Sequence, residues 1–516
     1  MAVSEEHTQT AKTAIGRVIK SYPYISGSFL LMYLPIFFGF FGNTLITYIG
    51  FLLLTVSGFV LYRQQKLSGL LTALTSFISF SLYRKAYLLF VLLWLVNTVL
   101  FFFTMEYKAW DTGIIQNPLV SYFYTGTFYN YFLDKHGIAD HFYPFYILFT
   151  PLFNIYNSFI WLILFRLISY LLCPYLLYKT GQKLLPYNSK LVYVGPIMWM
   201  FHEYTANTQF FDFQPSTPAT AFIIGAFYLL ITGRYLWALL PLILILFFKE
   251  NLALVWLCAG AYIFLYRKKY ILGSVLFIAG IAAGILITSV VMPAYSAGST
   301  FGHTGRFAVF SHIPEKLQML FLAFASVGFI PLLSPRSVLF ILPAFALNLV
   351  TNFTNMFGFH YHYMDMPFAV MFIGVLYGLK AFAENDTPLN RFSRLSIDKK
   401  NTVYAVALWF FISQNTLLPT HGIRRTIGNL GDIPYFMEIE QLKKKLNRED
   451  EVYTMSSPVP YFAYMPYLHE LKQLENRTVQ GYGYKDKHFY VITAKDGRFD
   501  YKNADRNRVT DKCWTA

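Results

Sequence analysis

The chain has 516 residues, of which 56% are hydrophobic, 20% aromatic and only 13% charged. Soluble globular proteins carry about 25% charged residues. That deficit excludes an ordinary soluble domain, and recurring apolar runs near ~18 residues mark a polytopic helical membrane protein. The net charge of +15 falls mostly in short loops between those runs, as orientation by the positive-inside rule requires, so it does not point to nucleic acid.

In chain order, the polar opening "MAVSEEHTQTAKTAIGRVIK" precedes an apolar run with no small-residue cleavage site, which reads as an uncleaved anchor. With residues 1–25 placed in the cytoplasm, 26–42 and 43–62 form an out-and-back hairpin. The short, Ser- and Thr-broken stretch 68–82 lies along the interface, "YRK" at 83–85 stays inside, and 86–104 crosses outward. Residues 106–157 then form a long outer loop whose Tyr and Phe suit the headgroup level. Further crossings are expected at 158–178, 191–204, 216–233, 236–248, 251–266, 271–291, 316–333, 337–352, 365–382 and 402–419. The expected fold is thus an all-α transmembrane bundle of about thirteen spans, with its basic short loops all on one side. The main membrane domain occupies 86–419. From 420 to 516 the pattern changes to a charged helix, a strand at "EVYTM", a second helix and an alternating strand at "HFYVITAK", a small α/β module expected outside the membrane. Cys173 and Cys258 sit in apolar segments and Cys513 stands near the C-terminus, which makes neither a disulfide framework nor a zinc site.

Unusual polar groups collect on the outer side of this threading. Asp111, Asp140 and His141 fall in the long loop; His202, Glu203 and Asp212 bracket "FHEYTANTQFFDFQPSTP". Lys249 and Glu250 end one span, Arg306 lies with His303 in "GHTGR", and His360 and His362 precede another span. Ionisable groups near membrane depth are costly and tend to line a cavity, so one wet site under the outer headgroups is expected. Asp111 reads either as a general base or as a loop aspartate capping a helix that begins at Thr112. Lys249 beside Glu250 reads as a structural ion pair or as a phosphate-binding lysine. Asp212 is explained by capping and turn formation as readily as by catalysis. Arg306 is either a pyrophosphate clamp or solvated. His360 and His362 lack the i, i+4 spacing of two ligands on one helical face, and hydrogen bonding to an anionic headgroup or sugar fits them better.

The motifs "WDTGIIQ", "DHFYPFYILFTPLF", "FDFQPSTPATAF", "FFKENLAL" and "GFHYHYMDMPFAV", in this order, resemble a family of bacterial membrane proteins known only as a domain of unknown function. The resemblance covers roughly residues 86 to 480. That family is placed with the GT-C glycosyltransferases, which include protein O-mannosyltransferases and the aminoarabinose transferase of lipid A. The resemblance implies an enzyme of the bacterial inner membrane with an extracytoplasmic site and C-terminus. It implies a sugar donor linked to polyprenyl phosphate and an extracytoplasmic acceptor that is lipid, polysaccharide or protein. Asp111 matches the acidic residue of the first outer loop. Thr112 follows it here, so a second acid has to come from elsewhere, with Glu106, Asp140 and Glu250 as candidates. The hairpin at 26–62 lies outside the matching part.

Inverting transfer needs a carboxylate to take the acceptor proton, and cations or donors for the departing phosphate. Asp111 suits the first role; Lys249, Arg306, His360 and His362 suit the second; His141, His202, Glu203 and Asp212 are expected to line the cavity. No ligand cluster demands a metal, although the chemistry admits a divalent cation. The alternative is a transporter or flippase for a lipid-linked or anionic solute, which should carry polar groups through to the cytoplasmic side.

Overall fold

The computed structural model describes residue 56 and residues 78–107, 109–186, 189–296, 307–359, 361–384, 386–388, 428–447, 449–454, 459–462, 465–470, 489–495 and 498–503. The expected crossings 26–42 and 402–419, and 43–62 apart from residue 56, lie outside these residues. Among them the chain is mostly helical, with two small sheets. Among the described residues, four helices are long and apolar enough to span a bilayer: Phe80–Phe103, Ile160–Leu184, Tyr270–Ala294 and His362–Ala383. Three shorter apolar helices, Ala219–Ile231, Tyr235–Leu246 and Pro335–Val350, accompany them.

Helix α1 (Phe80–Phe103) starts where the Ser79 hydroxyl accepts the Leu82 N–H at 3.2 Å. The "YRK" expected in a loop is therefore inside its first turns. Met105 adopts a left-handed φ of 56° and turns the chain into a π-helical segment, Ala109–Gly113, which runs on into α2 (Ile114–Thr125). The rest of the expected outer loop is a two-residue hairpin, β1 (Tyr129–Asn130) with β2 (Lys135–His136), a helical turn Gly137–Asp140 and a 3-10 run Pro144–Asn154. Helix α3 (Ile160–Leu184) matches the next expected crossing.

Three expected spans are broken, each for a local reason. Between 191 and 204, α4 (Val194–Met200) stops and α5 (Glu203–Gln209) begins. There His202 Nδ1 accepts the Tyr204 N–H at 3.2 Å, a side-chain N-cap. The 316–333 stretch ends as α10 (Ile313–Ser326) at Gly328 and Phe329, both at positive φ. The 337–352 stretch is α11 (Pro335–Ile341), then a 3-10 turn containing Pro343, then Ala346–Val350, because proline lacks the amide that would continue the ladder.

Between these lie α6 (Ala219–Ile231), α7 (Tyr235–Leu246), α8 (Leu254–Arg267) and α9 (Tyr270–Leu286). Helices α8 and α9 form a hairpin around Lys268 and cross closely. A Cβ on Gly260 would stand 2.6 Å from the Gly273 carbonyl, and one on Gly273 would stand 2.8 Å from the Gly260 carbonyl, a contact only glycine permits. Helix α12 (Asp365–Ala383) is the core element: 78% of its apolar window is buried, against 22% for α9. The exposed flank of α9, from Ile271 through Ile278 to Ile285, is the surface a lipid would contact.

The C-terminal residues form α13 (Ile433–Lys443), β3 (Glu451–Thr454), a helical turn Val459–Phe462, β4 (Leu468–Glu470), β5 (Phe489–Lys495) and β6 (Arg498–Asn503). The sheet order is β4-β3-β5-β6, parallel across its first three strands and antiparallel at β5–β6. The strands at "EVYTM" and "HFYVITAK" occur; β4 and β6 are additional. Phe436 packs on Phe102 and Phe103, and the Tyr461 hydroxyl donates to the Phe102 carbonyl at 3.1 Å. The sheet unit therefore sits at the C-terminal end of α1, beside Asp111.

Candidate functional site

The loop between α5 and α6 is held from below by a charge inside a membrane helix. Arg166 of α3 is fully buried. Its Nη1 donates to the carbonyls of Thr208 (3.2 Å), Phe211 (2.8 Å) and Asp212 (3.2 Å), and its Nη2 donates to the Tyr107 hydroxyl (3.1 Å). Above it, the Thr112 hydroxyl accepts the Phe213 N–H (2.9 Å) and donates to Asp212 Oδ1 (3.2 Å). The Tyr146 and Ser169 hydroxyls donate to the carbonyls of Pro215 (2.6 Å) and Pro218 (2.5 Å). Loop 210–218 is thereby fixed from both sides, and with it Gln214.

Gln214 joins the two charges singled out in the sequence. Its Nε2 donates to Asp111 Oδ1, and its Oε1 accepts from Lys249 Nζ at 3.2 Å. The amide orientation follows, since an ammonium can only donate. Lys249, 4% exposed, also donates to His362 Nε2 at 3.3 Å, which puts the His362 proton on Nδ1, a buried atom with no hydrogen-bond partner. His362 is anchored in turn: its carbonyl accepts the Tyr204 hydroxyl at 3.0 Å. That hydroxyl's single proton is shared with Asp365 Oδ1, and Asp365 Oδ2 accepts from Ser216 and Thr217 at 2.9 Å each.

Glu250 points the other way from Lys249. Its Oε1 meets His141 Nδ1 at 2.9 Å and its Oε2 accepts the Phe142 N–H at 3.0 Å. Burial by itself would raise the Glu250 carboxyl, but His141, Lys249 and the Phe142 amide outweigh it and hold the group down at about 2. A depression of this size corresponds to about 3 kcal/mol of stability. That stability is present at neutral pH and is lost as pH falls from the ordinary carboxylate range through about 2. Glu250→Gln is therefore expected to lower thermal stability at neutral pH by up to that amount. Its melting temperature should converge on the wild-type value in acid, and pH-dependent melting in detergent checks this. Asp111 shifts the opposite way: burial pushes its carboxyl up, opposed by Lys249, His141 and the Gln214 hydrogen bond.

Asp111, His141, Gln214, Lys249, Glu250 and His362 line one cavity of about 470 Å³. Its other wall is apolar, built from Leu254 and Leu257 of α8 and from Gly280, Ile281, Gly284 and Ile285 of α9. Ile281 and Ile285 are 44% and 58% exposed on the outer flank of the bundle, so the cavity reaches the surface that lipid would cover. Among the described residues no group of three or more His, Cys, Asp or Glu is arranged to hold a metal ion.

Other expected site residues stand elsewhere. Glu106 is buried and accepts from Asn429 of the C-terminal part, away from the cavity wall. Asp140 pairs with Lys135 at 2.6 Å and does not line the cavity. His202 is buried between α4 and α5, its Nε2 2.9 Å from the Ser326 hydroxyl, because it caps a helix rather than facing the site. Asp212 serves the Thr112 contact and is not among the residues that line this cavity. Glu203 begins α5, and its side chain lies outside the described residues, as do Arg306 and His360. Three contributors were absent from the expected set: Gln214, Asp365 and Arg166. An arginine within an apolar run and an aspartate opening a span are readable signals; a neutral glutamine carries none.

Residues 101–480 match a family described as "Predicted membrane protein (DUF2079)". The chain belongs to that family. No curated protein and no solved structure matches it. The DUF2079 match takes in every cavity residue named above and the whole of α2 to α12, so the site belongs to the family's part of the chain and not to residues 26–62.

Proposed function

We propose that the cavity transfers a sugar from a polyprenyl-phosphate donor to an acceptor at the extracytoplasmic face. The observation that carries the reading is the Gln214 bridge: a half-buried carboxylate and a buried ammonium are held at the two ends of one amide, on the polar wall of a cavity whose opposite wall is apolar and open toward lipid. An amphiphile with an anionic head and an aliphatic tail fits that division. Asp111 takes the proton of the attacking hydroxyl or amine as the new bond forms at the anomeric carbon. The bond from that carbon to the phosphate oxygen breaks, and its electron pair leaves with the lipid phosphate. Lys249, held beside His362, meets the charge that develops there.

Orientation is supported by where the cations fall. Arg234, Lys268, Lys269 and Lys380 stand at the ends of α7, α8, α9 and α12 opposite those that bear Lys249, Thr288 and His362. By the positive-inside rule the cavity end is then outside, and the C-terminal sheet unit shares that side. The test supplies purified protein in vesicles with a polyprenyl-phosphate sugar labelled in the sugar. Release of polyprenyl phosphate with label appearing in an acceptor supports the reading. Uptake of an anionic solute with no glycosyl product replaces it with the transporter.

A further inference from the structure

At the end of the bundle away from the cavity, two helical turns carry a dense set of cations. Arg234 caps α7, and Arg267, Lys268 and Lys269 make the turn between α8 and α9. The two turns are locked on one ring: Arg267 Nε donates to the Tyr235 hydroxyl at 3.0 Å, and Lys269 Nζ lies 4.5 Å from the Tyr235 ring centroid. A third element joins them. The Tyr266 and Ser334 hydroxyls are 2.7 Å apart, which brings the start of α11, with Arg336, to the same corner.

Arg234, Arg267, Lys268, Lys269 and Arg336 are all exposed, and the ion pairs among the described residues involve none of them. Five exposed cations with no ion-pair partner among the described residues form a positive corner that attracts an external anion. The neighbouring side chains indicate where that anion sits. Leu236, Trp237, Tyr270 and Ile271 are 83%, 69%, 55% and 84% exposed, an apolar and aromatic rim of the kind found at a headgroup boundary. Orientation alone would need charge in these loops, but not two turns fastened to Tyr235 and a third tied on through Tyr266.

We infer that the corner formed by Arg234, Arg267, Lys269 and Arg336 beside Tyr235 and Tyr266 is a binding site for the phosphate of an anionic phospholipid. The guanidinium of Arg267, fixed by Tyr235, presents its remaining donors to the phosphate oxygens. Lys269 and Arg336 add charge from either side, and the acyl chains run along the exposed flank of α9. This site is independent of the sugar-transfer reading.

The test is lipid retention by the full-length protein after extraction, measured by native mass spectrometry following exchange into phosphatidylglycerol or phosphatidylcholine. Wild type is expected to keep phosphatidylglycerol and lose phosphatidylcholine. Retention should weaken about five-fold for each charge removed in the series Arg267→Gln, Lys269→Gln, Arg336→Gln, the ~1 kcal/mol that a basic residue gains beside an anionic surface. Should the combined variant fail to fold, Tyr235→Phe removes only the hydroxyl that orients Arg267 and is expected to weaken retention with the fold intact. Equal retention of both lipids by wild type, or unchanged retention in the folded variants, overturns the site. Binding of inorganic phosphate as tight as that of the lipid shows a phosphate site without lipid recognition and equally overturns it.

Discussion

The Asp111→Asn variant is expected to lose sugar transfer by roughly a hundred-fold or more, the usual contribution of a positioned base, and yet to melt higher than wild type at neutral pH. Both effects come from the same burial. Because burial holds the folded-state pKa of Asp111 above its ordinary value, the fold favours the protonated carboxyl. Stability associated with that neutral form is complete in acid and is lost as pH rises through the raised pKa. Asparagine imitates the protonated form and escapes the loss, so the two melting curves should separate as pH rises and meet at low pH. Thermal unfolding across pH, run beside the vesicle transfer assay, checks both. Full transfer by the variant removes Asp111 from the chemistry, and a lower melting temperature at neutral pH means that its charge mainly holds Lys249.

Arg166→Met should be the more damaging change to the fold. Methionine fills much of the space but leaves the carbonyls of Thr208, Phe211 and Asp212 and the Tyr107 hydroxyl without the donor they share. Each buried acceptor left without its donor costs about 1–3 kcal/mol, so the loss of this network is a large fraction of the stability of an ordinary domain. Arg166→Lys is not expected to rescue it, since one ammonium cannot replace a fork that serves four acceptors. Thermal melting in detergent tests both variants. Unchanged melting in either would show that loop 210–218 is held by its hydroxyl contacts alone.

The order of the membrane elements was legible from hydropathy because long apolar runs have few alternatives in a bilayer: α1, α3, α9 and α12 fall on expected crossings. The broken spans were not, because a side-chain cap at His202 and the left-handed turn at Gly328 and Phe329 interrupt the backbone without changing mean hydropathy. The site was legible as a set of charges but not as a partnership. Asp111 and Lys249 could be singled out by type and position, whereas the residue that connects them is neutral. Glu106 and Asp140 looked equivalent to Glu250 in sequence and differ only in the neighbours that folding gives them: Asn429, Lys135 and His141.

Helix α7 adds a consequence for the surrounding membrane. It presents Leu236, Leu240 and Ile243 outward over twelve residues, a rise of about 18 Å, while a typical hydrocarbon layer is about 30 Å thick. A bilayer in contact with that flank has to pinch or the helix edges have to meet polar headgroups, the condition called hydrophobic mismatch. Pinching brings the water boundary down toward Lys249, just past the end of α7. Lys249, itself buried in protein, would then lie nearer the aqueous phase, and thicker bilayers would work against that arrangement.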